Sequence, residues 1–183
     1  MGKKPTPRLT HCALFVHDIE EMQGFYTRVM GLTVTDRGRA RTAPIEMVFM
    51  SNDPAEHHQF VIVSGRPAKV EFHLNQQMSF YVDSLDELRV IDARVRAEGA
   101  ADRRAACHGN AWSVYFNDPE GNNIEVYTHS PWYVPQPNWT SLDLSKPNEQ
   151  IFMETEKYCR STPGFMTRAE RESKLARAMG RSQ

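Results

Sequence analysis

Short apolar runs alternate with amphipathic stretches over the first two thirds of the chain, and the alternation repeats. Residues 10–16 (Thr-His-Cys-Ala-Leu-Phe-Val) form a strand-like run. Ile19, Met22, Phe25, Tyr26, Val29 and Met30 then fall at helical spacing, with Asp18 as N-cap and Gly31 as a stop. Residues 77–82 (Gln-Met-Ser-Phe-Tyr-Val) read as a second strand. They lead to Ser84 as cap, to Leu85, Leu88, Ile91 and Val95 at helical spacing, and to Gly99. Gln77 lies 66 positions after His11, Val82 lies 66 after Val16, and Leu85 lies 66 after Ile19. Each helix leads into strand-rich sequence, at residues 32–36, 45–50 and 59–64 in the first copy and 112–116 and 123–128 in the second. Residues 37–42 and 103–110 read as loops. Asn52-Asp-Pro54 returns as Asn117-Asp-Pro119, 65 positions on. The pattern predicts an α+β fold of two βαβββ modules, about 8–66 and 75–130, combined in an open curved barrel.

From Pro131 the pattern changes. Pro131-Trp-Tyr-Val-Pro-Gln-Pro137 carries three prolines, which remove donors and fix φ, so neither strand nor helix is expected there. Residues 147–160 and 167–179 read as polar helices, the first with Ile151, Met153, Thr155 and Tyr158, the second with a thin stripe of Leu175, Ala178 and Met179. A domain over 1–130 with a helical extension over 131–183 is the expected organisation. The extension packs on its own barrel or on a partner subunit. Trp132, Tyr133 and Trp139 are aromatics that need cover, and a homodimer contact through the extension is expected.

Composition narrows the field. A chain of 183 residues with 22 basic and 23 acidic side chains has a net charge of −1, which supplies no drive toward nucleic acid or an acidic membrane surface. Cys12, Cys107 and Cys159 are scattered without a Cys-x-x-Cys, so neither a disulfide framework nor a zinc knuckle is indicated. The opening Met-Gly-Lys-Lys-Pro lacks the apolar stretch of a signal peptide, and no window approaches a membrane span; a cytoplasmic protein is expected.

Strand alternation sorts the faces. Cys12, Leu14 and Val16, then Met78, Phe80 and Val82, then Ile124 and Val126 are apolar and are expected beneath the helices. The opposite, concave faces carry His11, Ala13 and Phe15; Gln77, Ser79 and Tyr81; Asn123, Glu125 and Tyr127. A buried Glu is costly unless it is paired or bound to a cation. His11, Gln77 and Glu125 on three strands of one cavity point to a shared divalent metal. His11 alone reads as a hydrogen-bonded core histidine.

Leu9-Thr-His-Cys-Ala-Leu-Phe-Val16, then Asp18-Ile-Glu and Phe25-Tyr26, with Asn117-Asp-Pro-Glu-Gly-Asn-Asn-Ile-Glu-Val-Tyr127 at the far end, resembles the vicinal oxygen chelate superfamily. That superfamily includes glyoxalase I, bleomycin- and fosfomycin-resistance proteins, methylmalonyl-CoA epimerase and the type I extradiol dioxygenases. The resemblance covers about residues 8–130 and makes Glu125, in the closing Asp-Pro-x-Gly-Asn-x-Ile-Glu-Val, a metal ligand. Glu56-His-His-Gln-Phe-Val61 is similar to the dioxygenase His-His segment, which gives His58 an acid–base role near a bound catechol. Tyr115, ten residues before Glu125, matches the dioxygenase tyrosine near the metal, and His108 falls where dioxygenases place a pocket-lining His. His17 and His57 carry blander readings, an exposed corner and a structural residue.

The resemblance implies a divalent cofactor, Fe(II) or Mn(II), held by His11, Gln77 and Glu125, with a small aromatic substrate and O2 as partners. Gln77 stands where dioxygenases carry their second His ligand, and its carbonyl oxygen suits a harder cation. His73 could replace it only with a shift of strand register. The position symmetric with Glu125 is Phe60 or Val61, which cannot bind a metal, so the four-ligand pattern of glyoxalase I is not met. Two other readings stand beside extradiol cleavage. One is an aromatic-ligand-binding or resistance-type protein with a degenerate metal site, the other a metal-dependent isomerase or lyase of the glyoxalase group.

Overall fold

Asp18 and Ser84 start the two helices as the cap pattern predicts. Asp18 Oδ1 accepts from the amides of Glu20 and Glu21 at 3.0 and 2.9 Å, and Ser84 Oγ accepts from the Glu87 amide at 3.1 Å. The structure is a computed structural model and describes residues 7–40, 44–68 and 75–180; His73 lies outside them. The chain divides into one unit up to residue 74 and a second from residue 75.

The first unit runs β1 (Cys12–Val16), α1 (Ile19–Arg28), β2 (Thr33–Arg39), β3 (Glu46–Ser51) and β4 (Phe60–Ser64). Its sheet has the order β1-β4-β3-β2, with β1 parallel to β4 and the remaining pairs antiparallel. Met22, Phe25 and Tyr26 of α1 are buried against β3 and β4, where Val48, Met50, Phe60 and Ile62 complete the core. Cys12, expected beneath the helix, is exposed instead. It sits on an edge strand, while α1 covers the middle of the sheet.

The second unit repeats the order with β5 (Met78–Tyr81), α2 (Leu85–Glu98), β6 (Arg104–Cys107), β7 (Ala111–Asn117) and β8 (Asn123–His129). Its strands are ordered β6-β7-β8-β5, again with the first and last strands of the module parallel neighbours. Gly99 ends α2 at φ 69°, a left-handed conformation that L side chains rarely adopt. The two stretches read as loops carry strand: β2 continues through Arg39, and β6 occupies Arg104–Cys107. Thr42 lies outside the described residues. Pairing also settles the symmetric position. Ser79 faces Glu125, and Ala13, 66 positions before Ser79, faces Val61, so Val61 is the counterpart of Glu125.

The extension is built into the second unit. The proline-rich stretch does hold a strand, β9 (Trp132–Tyr133), followed by β10 (Thr140–Ser141), α3 (Asn148–Ser161), β11 (Met166–Thr167) and α4 (Arg168–Ala178). Two residues between prolines suffice for the short β9–β11 pairing, and β10 adds a fifth strand to the sheet beside β6. Thr155 of α3 accepts from Trp112 Nε1 at 2.9 Å, and the Phe152 ring lies 4.9 Å from the Trp112 ring. Arg89 of α2 donates to the carbonyls of Leu144 and Lys146 at 2.8 and 2.7 Å. Trp132, Val134, Leu144, Ile151 and Cys159 are buried. No helix among the described residues is long and apolar enough to cross a membrane.

Candidate functional site

The turn between β7 and β8 sets the register of the site. Asp118 Oδ1 accepts from the amides of Glu120 and Asn122 at 3.1 and 2.9 Å, and Asn122 Nδ2 donates back to the same carboxylate. The Asp and Asn of the closing motif are thus turn-builders, and Gly121 at φ 82° supplies the left-handed step. The hairpin they close places Tyr115 opposite Glu125, and the parallel ladder places Ser79 on the other side of Glu125.

Four donors surround the Glu125 carboxylate. Oε1 accepts from Ser113 Oγ at 2.8 Å and Tyr115 Oη at 2.6 Å; Oε2 accepts from Ser79 Oγ at 2.6 Å and Gln77 Nε2 at 2.9 Å. Glu125 is 8% exposed, so its charge is offset by hydrogen bonds rather than by bulk water. Burial first, then the bond to Glu125, holds the Tyr115 phenol well above its ordinary pKa, so it stays protonated at neutral pH. The sequence reading placed Gln77, Ser79 and Glu125 on one face. It passed over Ser113, although strand alternation from Tyr115 puts that hydroxyl on the same side.

His108 joins this cluster through Tyr115. Its Nε2 lies 2.8 Å from Tyr115 Oη and 3.9 Å from Glu125 Oε1, and its Nδ1 lies 2.6 Å from the Asn138 carbonyl. A carbonyl only accepts, so Nδ1 carries a proton, and Nε2 is turned toward the phenol. Tyr115 Oη therefore stands between Glu125 and His108 and donates its hydrogen to the carboxylate. Gly109 makes this corner possible. Its φ is +78°, and a Cβ there would lie 2.5 Å from Val134 Cγ2. Gly109→Ala is expected to lose about 1–3 kcal/mol in urea unfolding. An unchanged midpoint would show that the corner yields freely.

In the first unit, His11 and His58 stand with ring centroids 4.5 Å apart. His57 Nδ1 and His58 Nδ1 share a hydrogen bond of 2.8 Å, and His57 Nε2 lies 3.6 Å from Asp36 Oδ2. His57 is thus hydrogen-bonded to its neighbour. Phe49 packs beside both, at 5.5 Å from His57 and 5.2 Å from His58. Desolvation, and then the neighbouring His11 and His57, push the His58 pKa down, so its imidazole is neutral at pH 7. His17 is exposed. The structure brings His11 to His58, and Gln77, Tyr115 and His108 to Glu125, each group within its own unit.

No group of three or more His, Cys, Asp and Glu suited to a metal ion occurs among the described residues. The donors of the second unit still fit a hard divalent ion. Glu125 offers an anionic oxygen pair, and Gln77 offers a neutral carbonyl oxygen once its amide turns. In the first unit, His11 offers a ring nitrogen.

Residues 8–126 match the Glyoxalase/Bleomycin resistance protein/Dioxygenase superfamily, and the chain belongs to it. One curated relative, biphenyl-2,3-diol 1,2-dioxygenase 3 of Rhodococcus globerulus, is 28% identical over 126 residues. The match takes in 66% of this chain and 63% of that enzyme, so the chain spans less than two thirds of its relative. Among solved structures, a glyoxylase/bleomycin resistance protein/dioxygenase domain from Frankia sp. EAN1pec aligns with a TM-score of 0.59 at 20% identity, covering 69% of this chain and all 100% of the domain. The fosfomycin resistance protein FosX of Listeria monocytogenes, complexed with Mn(II) and sulfate, aligns at 0.54 and 16% identity, covering 69% of this chain and 95% of FosX. The trypanothione-dependent glyoxalase I of Leishmania major aligns at 0.54 and 17%, covering 67% and 87%. At such identities these structures speak for the fold.

Proposed function

We propose that the protein is a metal-dependent, extradiol-type dioxygenase that opens the ring of a catechol-type aromatic. The observation that carries this reading is the buried Glu125 carboxylate joined through the Tyr115 hydroxyl to His108. The dioxygenase among its relatives supports it. The proposed ligands are His11 from the first unit with Gln77 and Glu125 from the second, and the proposed ion is Fe(II) or Mn(II). The bound ion would supply a chelating centre for two adjacent substrate oxygens and a route for electrons to O2.

The chain's own residues have separate tasks. His58, neutral at pH 7, takes a proton from a catechol hydroxyl. Tyr115, held protonated, would turn its one hydrogen from Glu125 to charge developing on a substrate oxygen, with His108 beside the phenol. Both atoms of O2 enter the ring-opened product.

A second reading is an aromatic-ligand-binding protein that works without a metal. It is favoured by the Gln77 amide and three hydroxyls that already satisfy Glu125. Oxygen uptake with a panel of catechols, in protein loaded with Fe(II) or Mn(II), separates the two. Uptake with a ring-opened product is expected, and His58→Gln is expected to lower kcat by about 10²–10⁴-fold. Binding of catechols with no uptake under either metal would replace this reading with the second. A cytoplasmic location and a homodimer go with the proposal. Apolar Val90 on α2 and Met153 on α3 remain exposed and available to a second copy, which sedimentation of the full chain would reveal.

A further inference from the structure

Both ring nitrogens of His108 have a partner, and the side of the ring away from Tyr115 is held by the C-terminal extension. Gln136 Nε2 donates to the His108 carbonyl at 2.8 Å, and the Asn138 carbonyl lies 2.6 Å from Nδ1. The Trp139 indole packs edge-on to the ring at 5.2 Å and 79°. Asn138 is itself tied down. Its amide donates to Gln136 Oε1 at 3.1 Å, and its Oδ1 accepts from Tyr158 Oη at 2.6 Å. Neighbours of Tyr158 on α3 are anchored in turn. Thr155 accepts from Trp112 Nε1 at 2.9 Å, and the buried Cys159 places its Sγ 3.6 Å from the Gly109 carbonyl. A chain of bonds thus runs from α3 through Asn138 to His108, and across the imidazole to Tyr115.

A carbonyl oxygen has no hydrogen to give, so of the two neutral tautomers only Nδ1–H can meet it. The Nε2–H form would set a bare Nδ1 against the Asn138 lone pairs at 2.6 Å. Nε2 is therefore a bare acceptor, 2.8 Å from Tyr115 Oη. The phenol's hydrogen goes to Glu125 Oε1, which also accepts from Ser113. A cation at Glu125 would compete for those same lone pairs and weaken that bond. His108 Nε2 is a second acceptor already within reach of Oη.

We propose that Asn138 and Tyr158 are positioning residues of the site. They keep His108 as the Nδ1–H tautomer, so that its bare Nε2 receives the Tyr115 hydrogen when Glu125 gives its oxygens to a cation. Tyr158 acts through Asn138, and Asn138 through His108. The extension thereby sets the hydrogen-bonding state of the site as well as closing the core beneath it. The tautomer stands on this geometry alone, while the hand-over rests on the divalent-ion reading of Glu125.

Long-range 1H–15N spectra of the full, 15N-labelled, metal-free chain test the tautomer, with His108 assigned by the signals lost in His108→Gln. The wild type is expected to show a protonated Nδ1 and a bare Nε2. Tyr158→Phe removes one hydroxyl and is expected to shift the tautomer ratio toward Nε2–H by about 2–10-fold. Asn138→Ala removes the acceptor of that hydroxyl and should shift the ratio the same way. Thermal unfolding checks that both variants fold, and either decides alone if the other does not. Mg(II), a diamagnetic ion that prefers oxygen ligands, is expected to move the wild-type Nε2 signal upfield as it accepts the phenol's hydrogen. A wild type in the Nε2–H form, or folded variants with an unchanged ratio, overturns the proposal and leaves the divalent-ion reading standing. Calorimetric binding of Mg(II) with no change at Nε2 overturns the hand-over. Absence of binding by both Mg(II) and Mn(II) overturns the ion reading and the hand-over with it, and an Nδ1–H signal in the same protein upholds the positioning role.

Discussion

Glu125→Gln is expected to weaken Mn(II) binding by about 100-fold or more, measured by calorimetric titration of wild type and variant. Losing a metal-binding partner in the outer shell alone costs about 10–100-fold, and Glu125 is proposed as a direct, charged ligand. The shape of the side chain is kept, but its charge is lost and one accepting oxygen becomes a donor. Oε1 takes bonds from Ser113 and Tyr115, and Oε2 from Ser79 and Gln77, so either orientation of the new amide sets an NH2 against two donors. Ser79 can rotate to accept and Gln77 can turn its amide, which limits the loss of stability to about 1–3 kcal/mol. Equal Mn(II) affinity in the two proteins would remove Glu125 from the ligand set.

Deleting residues 131–183 is expected to abolish cooperative folding of the second unit. The extension provides β10, which covers the edge of β6, and α3, which covers Trp112. Val134, Leu144, Ile151 and Trp132 are buried in the process. Each such side chain contributes about 1.5–3 kcal/mol when fully buried. Together they are comparable with the whole stability of an ordinary domain, about 5–15 kcal/mol. The tryptophan band of the shortened chain, which then comes from Trp112 alone, should show no sharp thermal transition by near-ultraviolet circular dichroism, and the chain should self-associate on gel filtration. A shortened chain that melts cooperatively at the wild-type midpoint would show that the extension is dispensable. The aromatics at 132 and 133, expected from sequence to need cover, find it inside their own unit: Trp132 against Phe152, and Tyr133 beneath the Arg171 guanidinium at 4.5 Å.

The features read correctly from sequence are those written in local chemistry. Asp18 and Ser84 cap helices because their short side chains reach amides two or three residues on, and Gly99 ends one because it alone takes a left-handed φ cheaply. The repeat offset of 66 survived into the structure because both copies start from equivalent strands. What escaped was written in tertiary contacts. Arg104-Ala-Ala-Cys107 has little strand propensity and is a strand because β7 and β10 flank it. β9, β10 and β11 are two residues each, below any periodicity. Cys12 was assigned to a covered face because alternation gives the side of a sheet but not how far the helix extends over it. At the site, Glu125, Tyr115 and His108 were legible as chemical types, while Ser113 and the Asn138 carbonyl were not. A serine looks like any other, and a backbone acceptor has no letter in the sequence.

The parallel pairing of β5 with β8 also governs when the site can come into being. The bonds from Ser79 and Gln77 to Glu125 close loops of 46 and 48 residues, against 10 and 12 for those from Tyr115 and Ser113. Closing the longer loops costs more chain entropy, and such non-local ladders form late in folding. A growing chain can therefore make the hairpin half of the cage early, from β7 and β8 alone. The other half waits until β5, the first strand of the module, has been brought back alongside β8. The cage of donors around Glu125 is in this sense complete only when the module has finished folding, and a nascent chain still missing β8 cannot form it.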